Sequence, residues 1–478
     1  MKIKRSEIQI NADFNKVIAL YLNLGIPRLS KRISALIYRV LELDESEVTR
    51  LYASIEKEFG QRHPKFEFYL RAHYDQIKAA IPKNAVLTET RKMLMGAYFT
   101  KEYSIQAAAL FNPSMVAHPD QSGLATGEKR FIISLRAVGE GHISSIEFRS
   151  GVVNVSGDIT LEKDTGFASV AMRDEAKIFN KKKLKNRTHV LFDFDQTILD
   201  KLGDTFTKND YLNTSESVFS TFDKKSRDIL EGILDTNYDV MTHSDADLSE
   251  RIIFPIAKQE LNGMEDVRFV EFIENGQSTY IGTYTAYDGH RICPQLIITN
   301  DFRQFKIRTM YGKGVNDKGF ALFPEKINGQ FVMLGRQGGE QITIMYSDNL
   351  FVWESFEPLM LPEFSWEMIQ LGNCGSPIKT EEGWLVITHG VGAMRKYVIS
   401  AILLDLTNPS KIIKKLSTPL IAPNETEREG YVPNVVYSCG SMKHGNLLVI
   451  PYAKSDSAST FGTVDIGELL DEMVVCKN

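Results

Sequence analysis

The sequence predicts a mainly β protein with an α-helical N-terminal extension. Apolar residues follow helical spacing from about residue 30 to 95. After Phe111 the chain changes to short β-prone runs, such as residues 131–135, separated by Gly, Asp and Asn turns at intervals suited to antiparallel sheets. A local pattern then recurs from Thr299 to Ser347, a separation of 48 residues that is in the range of one four-stranded propeller blade.

Residues 1–105 are predicted to form the helical extension. Their apolar positions fall into two runs with spacings of three or four residues: Ile33, Leu36, Ile37, Val40 and Leu41, then Val48, Leu51, Tyr52, Ile55 and Phe59. The stretch Asp44-Glu45-Ser46 between the runs predicts the end of one helix and the N-cap of the next. Because the segment carries no clustered chemistry, we expect a packing role, and since extensions of this kind often mediate self-association we also consider a homo-oligomer.

Residues 106–478 are predicted to form the β domain. The recurring pattern is a hydroxyl residue, an Asp, an apolar residue and an aromatic residue three positions later, found in 299–305 and again in 347–353. Residues 155–250 are less regular, and we interpret them as a strand or two followed by a long insertion. The lysine run 181–183 within it is expected to be a solvated face.

Composition and charge exclude several classes of function. The net charge of -5 over 478 residues gives no footprint for nucleic acid. The four cysteines are spread without a CxxC pair and the histidines are scattered, so neither a disulfide framework nor a metal site is indicated. The basic N-terminus is not followed by the apolar segment of a signal peptide, and no run of about 18 apolar residues occurs. We therefore expect a cytoplasmic protein without a membrane span or a metal.

Two groups of residues could form a pocket. Asp266 and Arg268 stand at the head of a β-run that leads to Tyr287, and charges in that position are costly to bury unless they are paired or used. We predict that Arg268 and Tyr287 contact a substrate, although a structural Asp–Arg pair fits these residues equally well. Further along, Lys318, Arg336 and His389 would make an anion pocket if neighbouring blades brought them together.

A series of motifs in order resembles glycoside hydrolase family 130, the β-mannoside phosphorylases and β-mannosidases. The motifs cover roughly residues 106–470 and read EDVRF, TYTAYDG, ALFPEKI, SDNLFVW, GNCGSPIKTEEGWLVITHGV, AILLDLTNP and EGYVPNVVYSCG. The resemblance implies a five-bladed β-propeller with the active site in its central cavity. The N-terminal helices lie outside that common core and are similar to the extension of longer family members.

The resemblance also implies roles for individual residues. Asp266 matches the position of the general acid, with Val267 beside it where family members commonly have Pro. Asn112, Arg136 and Asp456 match positions that hold the mannose ring at the cleavage subsite. The acid is expected to relay its proton through the mannose 3-hydroxyl, and near neutral pH it needs a raised pKa, which burial beside Glu265 would supply.

The phosphate pocket of the family is matched by Lys318, Arg336 and His389, with Tyr397 as an addition. A lysine common in the family is Gln370 here, so one cation is missing. The implied reaction is inverting phosphorolysis of manno-oligosaccharides to α-mannose 1-phosphate, with inorganic phosphate as co-substrate and no cofactor. An inverting hydrolase, the alternative, needs a second carboxylate as base, and Glu140 is the candidate for it.

Two further classes of function are weighed against this interpretation. The run Asp193-Phe194-Asp195-Gln196-Thr197 after apolar residues matches the DxDxT signature of haloacid-dehalogenase-like phosphatases. The sequence from 198 to 260 lacks the βα alternation that such a phosphatase requires, so we interpret the match as an ordinary strand. A non-catalytic glycan-binding propeller would lose the acid, whereas Asp266 is present.

Overall fold

In a computed structural model the chain is mainly β, with helices near the N-terminus and in one insertion. The structure describes residues 3–27, 29–214 and 216–476. Residues 1, 2 and 28 of the predicted extension lie outside the described residues, as do 215, 477 and 478. Within the described ranges, no helix combines the length and the apolar character needed to cross a membrane.

The first hundred residues contain four helices flanked by short strands. The elements are β1 Lys4–Arg5, β2 Val17–Tyr21, α1 Lys31–Glu42, α2 Glu45–Phe59, α3 Phe66–Ile77, α4 Glu89–Tyr98 and β3 Thr100–Ser104. The helical spacing predicted α1 and α2 correctly, and the Asp44 carboxylate caps α2 by accepting a hydrogen bond of 2.9 Å from the Glu47 amide. The segment is not helical throughout, because β2 pairs with β3 and β1 leaves to join a sheet near the C-terminus.

A first antiparallel sheet follows the helices and is interrupted by the insertion. Its strands and those of the insertion are β4 Ala109–Ala117, β5 Lys129–Val138, β6 Ser144–Val153, β7 Ile159–Leu161, β8 Ser169–Val170, β9 Met172–Arg173, β10 Ile178–Asn180, β11 Thr205–Thr207, β12 Asp239–Met241 and β13 Arg251–Ile253. The sheet runs in the order β4-β5-β6, and both β7 and β13 pair with β6. The insertion therefore starts and ends at the outer edge of this sheet.

The insertion carries more helix than the sequence reading expected. Its helices are α5 Lys181–Thr188, α6 Lys208–Asn213, α7 Glu216–Phe219 and α8 Lys224–Thr236. Leu230, Ile233 and Leu234 of α8 are buried in a cluster with residues of α5 and of the loops beside it. The helical spacing of these three residues indicates α8, but we did not predict the helix because the segment is mostly polar.

The segment 190–197 is not the strand that was expected. Turns occupy it up to Asp195, which caps the 3-10 helix Gln196–Lys201 by accepting a hydrogen bond of 3.0 Å from the Thr197 amide. Asp193 is exposed and pairs with Lys225 at 2.8 Å. The DxDxT match is therefore a capping arrangement on the surface, without the strand that positions a phosphatase nucleophile.

Four further groups of antiparallel strands complete the fold. They are β14 Gly263–Glu274, β15 Gln277–Tyr287, β16 Ile292–Thr299 and β17 Gln304–Thr309; then β18 Ala321–Leu322, β19 Phe331–Gly335, β20 Ile342–Ser347 and β21 Glu357–Met360; then β22 Gln370–Asn373, β23 Ile378–Lys379, β24 Trp384–Gly392, β25 Lys396–Leu404 and β26 Ile412–Lys415; then β27 Val436–Tyr437, β28 Met442–His444, β29 Leu447–Lys454, β30 Ala458–Asp465, α9 Ile466–Glu472 and β31 Val474–Val475. In the first two of these groups the strands pair in chain order. In the third group β22 and β23 both pair with β24, and in the fourth β27 and β28 both pair with β29, whereas β31 pairs with β26 of the third group. The recurring sequence pattern begins where β16 and β20 end, so it marks the third strand of two successive groups.

The last group of strands packs against the first. An isolated bridge joins Ser114 of β4 to Gly440, and the Cys439 amide donates a hydrogen bond of 2.8 Å to the Pro113 carbonyl. The outer edge of β30 is covered by β1, which pairs Lys4 with Thr463 and Arg5 with Gly462. The first described strand, β1, thus joins the sheet of β27–β30, which lies beside the sheet of β4–β6.

Candidate active site

The first strands of two groups are interrupted by β-bulges that carry polar residues. The register of β4 with β5 shifts between Phe111 and Ser114, and Asn112 there has φ 50°. The register of β14 with β15 shifts between Glu265 and Arg268, and Asp266 there has φ 55°. A left-handed backbone is uncommon for residues with a side chain, and bulges next to active sites often re-aim a side chain. These two bulges direct Asn112 and Asp266 into one cavity.

The cavity has a volume of about 230 Å³ and lies where the strand groups meet. Polar and charged side chains dominate its wall. The residues that line it are Phe111, Asn112, Arg136, Asp266, Arg268, Lys318, Gly319, Arg336, Gln370, Arg395, Tyr397, Val435, Tyr437 and Asp456. The structure thus brings together most of the residues that the sequence singled out.

Two side chains from neighbouring strands, Asn112 on β4 and Arg136 on β5, hold the carboxylate of Asp266. Asn112 Nδ2 donates a hydrogen bond of 2.7 Å to Asp266 Oδ1, and Arg136 Nη1 lies 3.4 Å from the same oxygen. Arg136 is fixed in turn by Glu265 Oε1 at 2.7 Å and by Ser144 Oγ at 2.9 Å. The carboxylate therefore has a defined orientation before any ligand binds.

The pKa of Asp266 differs from the sequence expectation. Burial raises the pKa of its carboxyl, but the positive charges of three neighbours lower it by more: Arg136, Arg268 and Lys318. The net pKa of Asp266 lies below its ordinary value, so the carboxyl is ionised at neutral pH. The raised pKa that was expected for a general acid is therefore not found.

Asp456 behaves in the opposite way. Burial, and then the nearby charge of Asp266, raise the pKa of its carboxyl to about 6. Its backbone is also left-handed, with φ 50°. Two carboxyl groups in one cavity thus have pKa values pushed in opposite directions.

Further positive charge comes to the cavity wall from Lys318, Arg336 and Arg395. In the part of the chain that the structure describes, none of the three forms an ion pair with a carboxylate, and the buried Arg336 Nε has no hydrogen-bond partner. Arg395 extends from the turn between β24 and β25, where both Met394 and Arg395 have positive φ, and its guanidinium lies 5.5 Å from the Tyr397 ring centroid. Sequence reasoning missed Arg395, since neither its spacing nor the family motifs single it out.

His389 is not the phosphate-binding cation that was expected. It lies on β24 opposite Gly372, which leaves room for the imidazole, and it is buried behind the cavity wall. Burial, and then Arg336, hold the pKa of His389 well below its ordinary value, so the ring is neutral. Its Nδ1 donates to the Asn373 carbonyl at 3.2 Å, and its Nε2 accepts from the Gln370 amide at 3.3 Å. His389 therefore positions Gln370, which does line the cavity.

Three further residues were predicted to have a role in the site, and of these only Arg268 lines the cavity, whereas Tyr287 and Glu140 do not. Arg268 is buried at the cavity wall, where it donates a hydrogen bond of 2.6 Å to Tyr437 Oη and one of 3.1 Å to the Asp266 carbonyl. Tyr287, expected to contact substrate, is not brought to the cavity, and its hydroxyl donates to the Gly289 carbonyl at 2.8 Å. Glu140 lies on an exposed turn outside the cavity and accepts a hydrogen bond of 2.9 Å from the Ser104 amide.

The arrangement combines one oriented carboxylate with several cations that lack a counter-ion. Among the described residues, no group of three or more His, Cys, Asp or Glu side chains is arranged to hold a metal ion. Cations aimed into a partly dehydrated cavity bind an oxyanion with charge-assisted hydrogen bonds, and Asp266 and Asp456 offer a proton donor and hydrogen-bond acceptors for hydroxyl groups. These features suit an anion and a polyhydroxylated ligand bound side by side.

Comparison with known proteins identifies relatives of the chain. The model of glycoside hydrolase family 130, described as beta-1,4-mannooligosaccharide phosphorylase, matches residues 206–475. The chain is 36% identical over 207 residues to a 1,2-beta-oligomannan phosphorylase of Thermoanaerobacter sp. (strain X514), which covers 42% of this chain and 67% of that relative. It is 28% identical over 235 residues to a beta-1,2-mannobiose phosphorylase of Listeria innocua, which covers 47% of this chain and 63% of that relative. The matches thus span about two thirds of the length of these relatives.

Among solved structures, the chain is similar to the beta-1,2-mannobiose phosphorylase from Listeria innocua in complex with beta-1,2-mannobiose. The identity is 20%, the match covers 76% of this chain and 92% of that chain, and the TM-score is 0.47.

The segment matched by the family model, residues 206–475, is more than half of the 478 residues and contains Asp266, Lys318, Arg336 and Asp456. The chain therefore belongs to glycoside hydrolase family 130.

Proposed function

We propose that this protein is an inverting β-mannoside phosphorylase. It would cleave β-mannosidic bonds of manno-oligosaccharides with inorganic phosphate and release α-mannose 1-phosphate. The first relatives reported above are named for β-1,2-linked substrates, so β-1,2-mannobiose is the substrate that we propose to test first.

One observation carries the proposal. The cavity that holds Asp266 also holds Lys318 and Arg336, and neither has a carboxylate partner in the residues that the structure describes. Unpaired cations inside a cavity are costly unless an anion joins them. A phosphate anchored there by Lys318 and Arg336, with Tyr397 beside it, would stand next to the acid without a second catalytic carboxylate.

The proposed reaction is a single displacement at the anomeric carbon. A phosphate oxygen forms the new bond to C1 while the C1 bond to the leaving oxygen breaks on the opposite face, so the configuration inverts. Asp266 gives its proton to the mannose 3-hydroxyl, which gives its own proton to the leaving oxygen. The attacking hydrogen phosphate becomes a phosphate ester and releases its proton, which returns to the Asp266 carboxylate. Asn112, Arg136 and Asp456 would hold the hydroxyl groups of the ring, with Arg268 supporting the Asp266 backbone.

Phosphate also accounts for the protonation of the acid. Lys318 is one of the three cations that lower the pKa of Asp266, and its charge would be partly neutralised by a phosphate anion bound beside it. The added negative charge raises the pKa of Asp266, so the proton is taken up when the co-substrate arrives. Hydrolysis is less favoured, because Glu140, the candidate base, is held on a turn outside the cavity.

We further propose that the five strand groups are the blades of a five-bladed β-propeller around this cavity. Asn112 on β4, Asp266 on β14, Lys318 before β18 and Gln370 on β22 would then come from the innermost part of successive blades. Residues 1–105 would be an extension and 106–478 the catalytic propeller, with the insertion at 155–250. A homo-oligomer, a cytoplasmic location and activity without a cofactor stay predictions.

The experiment is to incubate the purified protein with β-1,2- and β-1,4-manno-oligosaccharides, with and without inorganic phosphate, and to measure mannose 1-phosphate and free mannose. Mannose 1-phosphate that forms only when inorganic phosphate is added to the oligosaccharide supports a phosphorylase. Arg336→Ala should then reduce phosphorolysis by about 10²-fold or more, since it removes a charge-assisted contact to the attacking anion. Free mannose released at the same rate with or without phosphate would overturn the proposal in favour of hydrolysis.

A further inference from the structure

A second cavity lies between the insertion and the outer strands of the β14–β17 group. Its volume is about 410 Å³. The insertion contributes β10 and α5, the sheet contributes β16 and β17, and Phe351 closes one side from the segment after β20. None of the residues that line it belongs to the central cavity.

The side chains around this second cavity carry a large excess of positive charge. Five cationic residues line it: Lys177, Lys183, Arg187, Lys306 and Arg308. The Asp239 carboxylate neutralises part of this charge, because its Oδ1 lies 2.6 Å from Lys177 Nζ and 2.5 Å from Arg308 Nη1. In the described ranges, the other three cations form no ion pair with a carboxylate.

The cations are close enough to oppose each other. Burial, and then the charge of Arg308, lower the pKa of Lys177 to about 8. The same two causes, in the same order, lower the pKa of Arg187. Like charges crowded in a half-buried site destabilise the folded protein unless an anion joins them.

Two other lysines of α5 do not belong to the group of cations that lines the second cavity. Lys181, in the first turn of α5, donates to the Leu202 carbonyl at 2.8 Å, and Lys185 pairs with Asp200 at 2.7 Å. Both side chains therefore already have a partner. In the lysine run 181–183, Lys183 is the residue that lines the cavity. Lys183 is also exposed, as expected for a solvated face.

The lining also offers carbon surface beside the charges. Ile178, Phe179, Leu184, Ile298 and Phe351 contribute apolar groups. The Arg187 guanidinium lies over the face of the Phe351 ring, 3.6 Å from its centroid. A stacked guanidinium of this kind presents a planar fork that matches phosphate geometry.

We propose that this cavity binds an organic phosphate, a monophosphate ester of the size of a sugar phosphate or a nucleotide. Arg187, Lys183 and Lys306 hold the phosphate group, while the apolar side chains contact the organic part. A volume of about 410 Å³ is in the range of small-molecule sites, and cations surrounding apolar groups match a phosphate ester better than a bare anion. The site is separate from the central cavity, so the inference does not depend on the proposed phosphorolysis.

The test is isothermal titration calorimetry with three probes, mannose 6-phosphate, AMP and inorganic phosphate. All proteins carry Arg336→Ala, which suppresses phosphate binding in the central cavity. Into this background we introduce Arg187→Gln or Lys306→Gln, and the matched control is Lys182→Gln, an exposed neighbour on α5 that does not line the cavity.

We expect mannose 6-phosphate or AMP to bind, and the better of the two identifies the class of ester. Loss of one cation should weaken that binding by about tenfold or more, as for a charge-assisted hydrogen bond, whereas Lys182→Gln should change it less than about twofold. The proposal is overturned if neither ester binds at millimolar concentration, if inorganic phosphate binds as tightly as the esters, or if Lys306→Gln and Lys182→Gln behave alike. Lys306 is exposed, so its variant keeps the test decisive even if Arg187→Gln does not fold.

Discussion

Asp266 stands on a β-bulge with a left-handed backbone, and this geometry allows its carboxyl group to be tested without disturbing the fold. Asparagine tolerates the same backbone region, and its side-chain oxygen can still accept the hydrogen bond from Asn112. We expect Asp266→Asn to reduce kcat for mannose 1-phosphate formation by about 10²–10⁴-fold, the usual contribution of general acid catalysis. The melting temperature should stay close to that of the unmodified protein.

The control for this prediction is Glu265→Gln. Glu265 pairs with Arg136 at 2.7 Å but has no proposed part in proton transfer. It should retain far more activity than Asp266→Asn. A variant Asp266→Asn with more than about a tenth of the original kcat would remove the role of acid from this residue.

Arg395 is a second residue whose role can be measured. It lines the cavity at a turn with two consecutive positive φ values, and no carboxylate pairs with it in the described part of the chain. Because Gln370 stands where the family commonly has a lysine, we expect Arg395 to supply a replacement cation for phosphate. Arg395→Ala should raise the KM for phosphate about tenfold and change the KM for the oligosaccharide much less.

Two further variants make the Arg395 result specific. Arg395→Lys keeps the charge and should restore much of the phosphate KM. Lys396→Ala removes an exposed charge from the adjacent residue, which does not line the cavity, and should have little effect. If Arg395→Ala raises only the KM for the oligosaccharide, the residue contacts the sugar instead.

Asp456 links the site to stability through its pKa of about 6 in the folded protein. In the unfolded chain the pKa of an aspartate is about 3.9, so ionisation of Asp456 is less favourable after folding. The protonated carboxyl has no such penalty below about pH 4, and the destabilisation grows between about pH 4 and pH 6 and is complete above that range. Since a shift of about two pKa units corresponds to about 3 kcal/mol, and the cavity is open to solvent, we expect an effect of about 1–3 kcal/mol.

Asp456→Asn should therefore raise the free energy of unfolding relative to the unmodified protein at pH 8 and leave it nearly unchanged at pH 4. Urea denaturation at the two pH values measures the difference. Asp471→Asn, an exposed aspartate on α9, is the matched control and should show no such pH dependence. A gain for Asp456→Asn that is equal at both pH values would show that its raised pKa is not the cause.

At the residue scale, sequence motifs identified most of the cavity wall but not the depth of each side chain. His389 and Gln370 lie in motifs of the same site, yet Gln370 on β22 reaches the cavity and His389 on β24 lies behind it. Tyr287 was predicted to contact the substrate for a related reason, since its strand β15 runs alongside β14. Its hydroxyl instead donates a hydrogen bond to the Gly289 carbonyl. A motif gives the neighbourhood of a residue, whereas burial and pairing decide what it contacts.

At the element scale, local patterns predicted the helices with strong spacing and missed those in a polar setting. The spacing of Ile33, Ile37 and Val40 predicted α1, and these three side chains are buried. Helix α8 has the same signal in Leu230, Ile233 and Leu234, together with an N-cap at Asp223, but polar residues surround it. The bulges at Asn112 and Asp266 carry no comparable signal, since they arise from pairing between strands.

Helix α8 should contribute to stability through its buried face. Leu230 is fully buried in the cluster of the insertion, so Leu230→Ala removes apolar contacts and leaves a cavity. We expect the free energy of unfolding to fall by about 2–5 kcal/mol. Asp228→Ala, an exposed substitution on the same helix, should change it by less than about 0.5 kcal/mol. Equal effects of the two substitutions would mean that the buried face of α8 does not stabilise the fold.

At the scale of the whole molecule, the sequence predicted a mainly β chain and even the spacing of its units. The pattern repeated over 48 residues, from Thr299 to Ser347, marks the ends of β16 and β20, the third strands of successive groups. The pairing of β1 with β30 could not be predicted from the sequence, because contacts between residues more than 450 positions apart leave no local pattern in one sequence. That pairing makes the N-terminal strand part of the last sheet.

The pairing of β1 with β30 predicts that the N-terminal strand stabilises the whole fold through Arg5. Its guanidinium lies 2.9 Å from Glu427 Oε2 and donates to the Ala422 carbonyl at 2.8 Å, while the Glu427 side chain is only 4% exposed. Arg5→Ala would leave the Glu427 carboxylate buried without its cation. Because the Arg5 side chain is 28% exposed, we expect the free energy of unfolding to fall by about 1–3 kcal/mol, less than for a fully buried pair.

Lys4→Ala is the matched control for Arg5→Ala, since Lys4 lies on the same strand but its pair with Asp158 is more than half exposed on both sides. Exposed ion pairs contribute between zero and about 1 kcal/mol, so Lys4→Ala should change the urea midpoint only slightly. Both variants keep the backbone pairing of β1, and the difference between them isolates the buried pair. If Arg5→Ala and Lys4→Ala lose stability equally, the N-terminal strand is held by its backbone alone, and closure of the last sheet does not depend on the Arg5–Glu427 contact.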